Sequence, residues 1–246
     1  MRKEEKLLLQ NFIAPLLFVM LLWIIKGVEI NFHLQFSKYG LLPRNIDALT
    51  GIITFPLLHG DWQHLISNSA GLLVLGFLLF TFHREIAYRV VIQIWLLHGV
   101  WLWLGGRTTY HIGASGIIYG LAAFLFFTGV FKKEKSTMTI SLLVVFLYGS
   151  MVWGLMPFLQ GISWEGHLYG GAAGLLMAWY YRKTGIQKPI YDWEKEEEDY
   201  EEEYWKVSEE ISIENDSEQK PIEENKPSAS VHYIYKPNST DNDVKN

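Results

Sequence analysis

The chain of 246 residues is 50% hydrophobic and 15% aromatic and carries ten tryptophans, a bias well above that of soluble domains. It has no cysteine, which excludes disulfides, thiolate zinc sites and cysteine nucleophiles. The formal charge of −5 hides a division: residues 1–185 hold 14 Lys or Arg against 8 Asp or Glu, and residues 186–246 hold 7 against 18. An apolar segment, 1–184, is thus joined to an acidic tail, 185–246.

The opening stretch, MRKEEKLLLQ followed by NFIAPLLFVMLLWIIKGV, resembles a secretory signal but offers no small-residue cleavage site, so it reads as an uncleaved first span. Six mostly apolar runs follow one another at 12–28, 64–82, 86–104, 115–131, 138–158 and 166–181. Each approaches the roughly 20 residues that a helix needs to cross about 30 Å of hydrocarbon. Lipid offers no partner for free backbone amides, and none of the runs alternates as a strand would, so the expectation is an all-α membrane protein with six crossings. The connection at 29–63 is long and aromatic, with LLPRN and TFPLLHGDW, and is expected to be folded rather than slack.

Eleven Lys or Arg flank the runs on one side (Arg2, Lys3, Lys6, Arg84, Arg89, Lys132, Lys133, Lys135, Arg182, Lys183, Lys188) and four on the other (Lys26, Lys38, Arg44, Arg107), which predicts that both termini are cytoplasmic. The tail, with EKEEEDYEEEYW and then Ser, Asn and Pro, reads as mostly disordered. Trp193, Tyr200 and Val207 recur every seven residues, as do Tyr204 and Ile211, so this part reads either as a solvated charged stretch or as a short amphipathic helix.

Runs two, four and six point the same way through the membrane, so their first turns share one level. Those turns contain His64 and Asn68, Ser115, and His167. Polar groups inside a membrane are costly and face the bundle interior or a water-filled cavity, so four at one depth predict one cavity. His64 and Asn68, four apart, share a helical face and either bond to each other or aim together at a third group. Ser115 stands among Gly113, Ala114 and Gly116, small neighbours that let a second helix and a substrate backbone approach. Tyr119 lies one turn deeper on the same face. In HLYGGAAG, Gly170 and Gly174 form a smooth strip that can bring run six against run four, and a histidine within about 3 Å of a serine hydroxyl is a general base. His98 is expected to be a buried hydrogen-bonding residue and His111 to lie in the loop above the cavity.

These motifs, GASG (113–116), HLISN (64–68) and HLYGGAAG (167–174), resemble those of the rhomboid family of intramembrane serine proteases. The resemblance implies a six-transmembrane-helix rhomboid-like bundle. It implies that Ser115 is the nucleophile and His167 its base, without an aspartate. It further implies that the His64 and Asn68 side chains and the Ser115 backbone N–H form an oxyanion hole, that Gly113 belongs to the motif, and that Tyr119 packs on the catalytic histidine. His59 matches a histidine with a structural role. Two departures stand out: Gly161 and Gly166 do not reproduce the Gly-x-x-x-Ala run ahead of the final histidine, and the first external loop lacks a Trp-Arg pair. Glu165 lies about 200° around the helix from His167 and is not taken as a triad member.

The implied function is endopeptidase cleavage in or near transmembrane segments of membrane-protein substrates, in a bacterial plasma membrane, with no cofactor, no metal and no nucleic-acid partner. A non-proteolytic rhomboid-like binding or quality-control factor is the alternative. A transporter would show paired charges or broken helices near mid-membrane, and neither an HExxH motif nor a pair of membrane-embedded aspartates is present. The partner of the tail is not legible.

Overall fold

The computed structural model describes residues 3–158 and 163–184, so the acidic tail, its candidate amphipathic helix and Gly161 lie outside the described residues. Among the described residues seven α-helices follow in order: α1 (Lys3–Asn31), α2 (Gly51–Thr54), α3 (Trp62–Phe82), α4 (Ala87–Gly105), α5 (Ser115–Lys132), α6 (Lys135–Tyr148) and α7 (Trp164–Tyr180). Five are long and apolar enough to cross a membrane: α1 over Leu9–Asn31, α3, α4, α5, and α6 with its extension to Leu155. The protein is therefore a multi-pass membrane protein. Each of the six apolar runs corresponds to a long helix, but α7, at 17 residues, falls just short of that length.

Two of the departures from the expected boundaries have local reasons. Helix α3 starts two residues early because the Asp61 carboxylate accepts the His64 backbone N–H at 2.8 Å and caps the first turn. The run expected to be one helix over 138–158 stops being α-helical at Tyr148 and continues as a 3-10 helix over Gly149–Leu155. Glycines at 149 and 154 weaken helix propagation there. Side chains of other helices also take the Met151 and Gly154 carbonyl oxygens of that segment.

Lipid tails are as apolar as leucine, so helices in a bilayer associate through close packing and polar contacts rather than through expulsion from water. The most extensive helix interface is between α5 and α7. A Cβ placed on Gly170 would lie 2.0 Å from the Gly116 carbonyl oxygen, and one on Gly174 would lie 2.0 Å from that of Gly120. Backbone thus meets backbone along two successive turns. Around this seam α3, α4 and α5 supply the buried Leu72, Leu79, Ile94, Ile117, Leu121 and Phe124.

The 29–63 connection is folded, as expected. It contains 3-10 turns at Phe36–Tyr39, Ile46–Ala48 and Phe55–Leu57 in addition to α2. It lies against α4: the Trp95 and Trp103 indole N–H groups donate to the Ile52 and Asn45 carbonyls at 3.2 and 3.1 Å. Arg44 donates to the Gly106 carbonyl and the Thr108 hydroxyl, both at 2.8 Å. Leu41 and His111 exchange two backbone hydrogen bonds of 3.0 and 2.8 Å, tying the connection to the segment ahead of α5.

The glycine seam predicts the effect of a single methyl. Gly174→Ala forces α7 away from α5 and is expected to destabilise the protein by about 1–3 kcal/mol, the usual cost of overpacking. Thermal unfolding of the solubilised protein measures this, and an unchanged melting temperature would exclude the seam.

Candidate active site

The first turns of α3, α5 and α7 open on a common cavity of about 940 Å³, lined among others by His64, Asn68, Ser115, Tyr119, Ser163 and His167. The four polar residues expected at one depth therefore share one space. Ser115 is the first residue of α5, and as an amide of the first turn its N–H has no acceptor within the helix.

The Ser115 hydroxyl and His167 Nε2 are 2.9 Å apart. His167 Nδ1 is 2.9 Å from the Gly154 carbonyl oxygen, which can only accept, so Nδ1 carries a proton, and in the neutral ring Nε2 then presents its lone pair to the hydroxyl. The Tyr119 ring stacks on the imidazole, with centroids 4.1 Å apart and 9° between planes, and its hydroxyl donates to the Met151 carbonyl at 2.6 Å. A neutral imidazole with a fixed tautomer, stacked on one face and bonded to a hydroxyl, has the arrangement of a general base.

Opposite this pair, Gly113 adopts φ +109°, a conformation that residues with a Cβ rarely adopt. A Cβ there would also lie 2.5 Å from the His64 ring and 3.5 Å from the Asn68 amide nitrogen. Glycine at this position lets His64 and Asn68 come up to the backbone two residues ahead of Ser115. The two side chains do not bond to each other. Asn68 Nδ2 instead donates to His59 Nε2 at 3.0 Å, and the His59 and His64 rings meet edge to face at 5.1 Å. An amide nitrogen has two N–H groups, so one remains for another acceptor. Burial, with help from the neighbouring His64, lowers the His59 pKa to about 4, which keeps the ring neutral and its Nε2 an acceptor at ordinary pH.

Several residues escaped the reading of the sequence. Gly154 was concealed inside an apparently continuous apolar run, yet a Cβ there would lie 2.0 Å from the Tyr119 hydroxyl and 3.1 Å from His167 Nδ1. Its glycine identity was the one available signal. Glu165, set aside as a triad member, makes two contacts to Arg107, at 2.5 and 3.1 Å. Ser163 caps α7 and is 2.6 Å from His111 Nδ1. His111 is in the loop at the cavity, as expected, and burial lowers its pKa. These contacts tie the loop ahead of α5 to the first turn of α7. His98 is buried as expected but not hydrogen-bonded: neither ring nitrogen has a partner among the described residues, and the ring packs edge to face on Phe55 at 5.0 Å. Among the described residues no group of His, Asp or Glu is arranged to hold a metal ion.

Residues 47–184 match the model of the rhomboid domain. An uncharacterized protein of Mycobacterium tuberculosis is 39% identical over 173 residues, which cover 67% of this chain and 72% of the relative. One from Mycobacterium leprae is 35% identical over 176 residues, 68% and 70% of the two chains. A candidate rhomboid protein of Acanthamoeba polyphaga mimivirus is 30% identical over 150 residues, 57% of this chain and 80% of that one. The domain match extends from within the folded 29–63 connection through α7 and spans more than half of the chain, and on that ground the chain belongs to the rhomboid family.

Proposed function

We propose that the protein is an intramembrane serine endopeptidase that hydrolyses peptide bonds in or near transmembrane segments of other membrane proteins. The observation that carries this reading is the 2.9 Å contact between Ser115 Oγ and His167 Nε2 inside a cavity otherwise set among apolar helices. In the proposed reaction neutral His167 takes the Ser115 proton as Oγ attacks the scissile carbonyl carbon. The resulting oxyanion accepts from the free Asn68 amide N–H, the His64 ring and the Ser115 backbone N–H. Collapse breaks the C–N bond, and the leaving amine takes the proton from the imidazolium. Water, again deprotonated by His167, then hydrolyses the acyl ester and restores Ser115. Gly113 provides room for the oxyanion donors, and Tyr119 holds the imidazole plane.

In this reading residues 1–184 form the protease domain with six crossings, α7 included, and 185–246 form an acidic cytoplasmic tail. Both termini face the cytoplasm, and the mycobacterial relatives support a bacterial plasma membrane. The cavity then opens outward, where hydrolytic water is available. The alternative, a non-proteolytic binder, has no use for a serine and a neutral imidazole in hydrogen-bond contact.

Ser115→Ala and His167→Ala are each expected to abolish cleavage of a model transmembrane substrate while leaving the melting temperature nearly unchanged; full activity in either variant refutes the assignment. A fluorophosphonate probe is expected to label the solubilised parent at Ser115, and labelling that survives Ser115→Ala points to another nucleophile. Asn68→Ala is expected to slow acylation by about 10² to 10³, the usual loss for one oxyanion donor, and a rate within a factor of about two of the parent removes Asn68 from the site. Glu165→Ala, which frees the first turn of α7 from Arg107, should lower kcat about tenfold with KM nearly constant, since a misplacement of 1 Å can cost about 10²-fold. An effect confined to KM would show that the ion pair serves substrate binding instead.

A further inference from the structure

Lys26 lies in the last turns of α1, within the apolar span Leu9–Asn31, and is buried at 7% exposure. A lysine so near a helix end can ordinarily extend its amine to water along its own flexible stem. This one does not. Its ammonium donates to Glu29 Oε2 at 2.7 Å, to the His59 carbonyl at 2.9 Å and to the Gly60 carbonyl at 3.0 Å. An ammonium has three N–H groups, and these acceptors use all three. The other Glu29 oxygen accepts from the Phe36 backbone N–H at 2.9 Å, so the carboxylate is itself fixed by the external connection. A buried charge is tolerated when it is paired and hydrogen-bonded, and two of the three bonds here go to main chain rather than to the counter-charge.

The main chain so held is that of His59 and Gly60, immediately ahead of Asp61, which caps α3. The His59 imidazole is bonded at one nitrogen only, to Asn68; Nδ1 makes no hydrogen bond of normal geometry, just a looser approach to the Leu57 backbone. With one hydrogen bond and an edge-to-face contact on His64, the aim of the imidazole depends on where its backbone sits. Lys26 is the group that fixes that backbone to α1. Its positive charge also adds, after burial and His64, to what disfavours a proton on His59, so Nε2 stays an acceptor for the Asn68 amide.

We propose that Lys26, braced by Glu29, is a positioning residue for the oxyanion hole: through the His59 and Gly60 carbonyls it sets the His59 imidazole, which orients the Asn68 amide toward Ser115. The inference rests on the protease reading for the meaning of Asn68, but the relay from α1 to Asn68 stands on its own geometry.

The test measures the rate of Ser115 labelling by a fluorophosphonate in the detergent-solubilised full-length protein, for the parent, Lys26→Met, Lys26→Arg and Asn68→Ala, and for Lys26→Met combined with Asn68→Ala. Lys26→Met is expected to label about 10- to 100-fold more slowly, less than or equal to the loss of a whole oxyanion donor. Lys26→Arg, which retains charge and donors, should recover most of the rate. In the Asn68→Ala background Lys26→Met should cost less than about threefold more, because residues acting through one relay are not additive. A parental rate in Lys26→Met, or an undiminished loss without Asn68, overturns the proposal. If Lys26→Met does not fold, Glu29→Gln takes its place: slowing that disappears without Asn68 supports the relay, and a parental rate overturns it. If the parent itself does not label, the protease reading fails. The relay is then decided by the ring-nitrogen resonances of 15N-labelled His59, which must change on Lys26→Met, or on Glu29→Gln where Lys26→Met does not fold, if Lys26 sets the ring, and which overturn the relay if they do not.

Discussion

The distance between two backbones governs this molecule. Helices α5 and α7 meet where Gly170 faces the Gly116 carbonyl and Gly174 faces that of Gly120, so closely that even a methyl group has no room. In lipid nothing resembling expulsion from water presses helices together, and close approach must come from matched surfaces. Ser115 precedes Gly116 by one residue and His167 precedes Gly170 by three, so the spacing of the seam becomes the spacing of the hydroxyl and the imidazole. The 2.9 Å contact between them is the polar end of a packing arrangement that continues down the bundle.

A polar cavity set among apolar helices needs each of its groups to find a partner in protein, because surrounding hydrocarbon supplies none. The structure meets this by linking elements remote in sequence. Gly154, at the end of the α6 extension, supplies the carbonyl that fixes the His167 tautomer; Arg107 and His111, ahead of α5, bond Glu165 and Ser163 at the start of α7. Lys26 on α1 bonds the carbonyls that precede α3. Most of these contacts join a loop or a helix start to another element, so the site is held at its rim and packed at its base. His59 Nδ1 and both nitrogens of the buried His98 have no such partner among the described residues.

Membership of the rhomboid family fits this distribution. The matched region, 47–184, contains every helix that lines the cavity but begins after α1, the helix that carries Lys26 and Glu29. The 29–63 connection here is fastened by those two residues and by Arg44, Trp95 and Trp103, without the Trp-Arg pair common in that loop of the family.

Periodicity and cost of burial made much of this readable from residues alone. Long apolar runs must become helices in lipid, and the parity of crossings brings His64, Asn68, Ser115 and His167 to one level without any coordinates. GASG, HLISN and HLYGGAAG carried the resemblance, and Gly170 and Gly174 announced a close helix contact. What lay beyond reach was every relation between side chains that no sequence spacing encodes. Asn68 bonds His59 rather than His64 because the chain ahead of α3 folds back over it. The apolar run 138–158 changes to a 3-10 helix at Gly149 because side chains of α5 and α7 take its carbonyls. Glu165 points away from His167 on its own helix, and only the loop arriving from α4 gives it Arg107 as a partner. Composition and order determined which residues could share the cavity; the packed backbone decided which of them touch, because a hydrogen bond depends on tenths of an ångström and on direction, and neither exists until distant segments have been brought together.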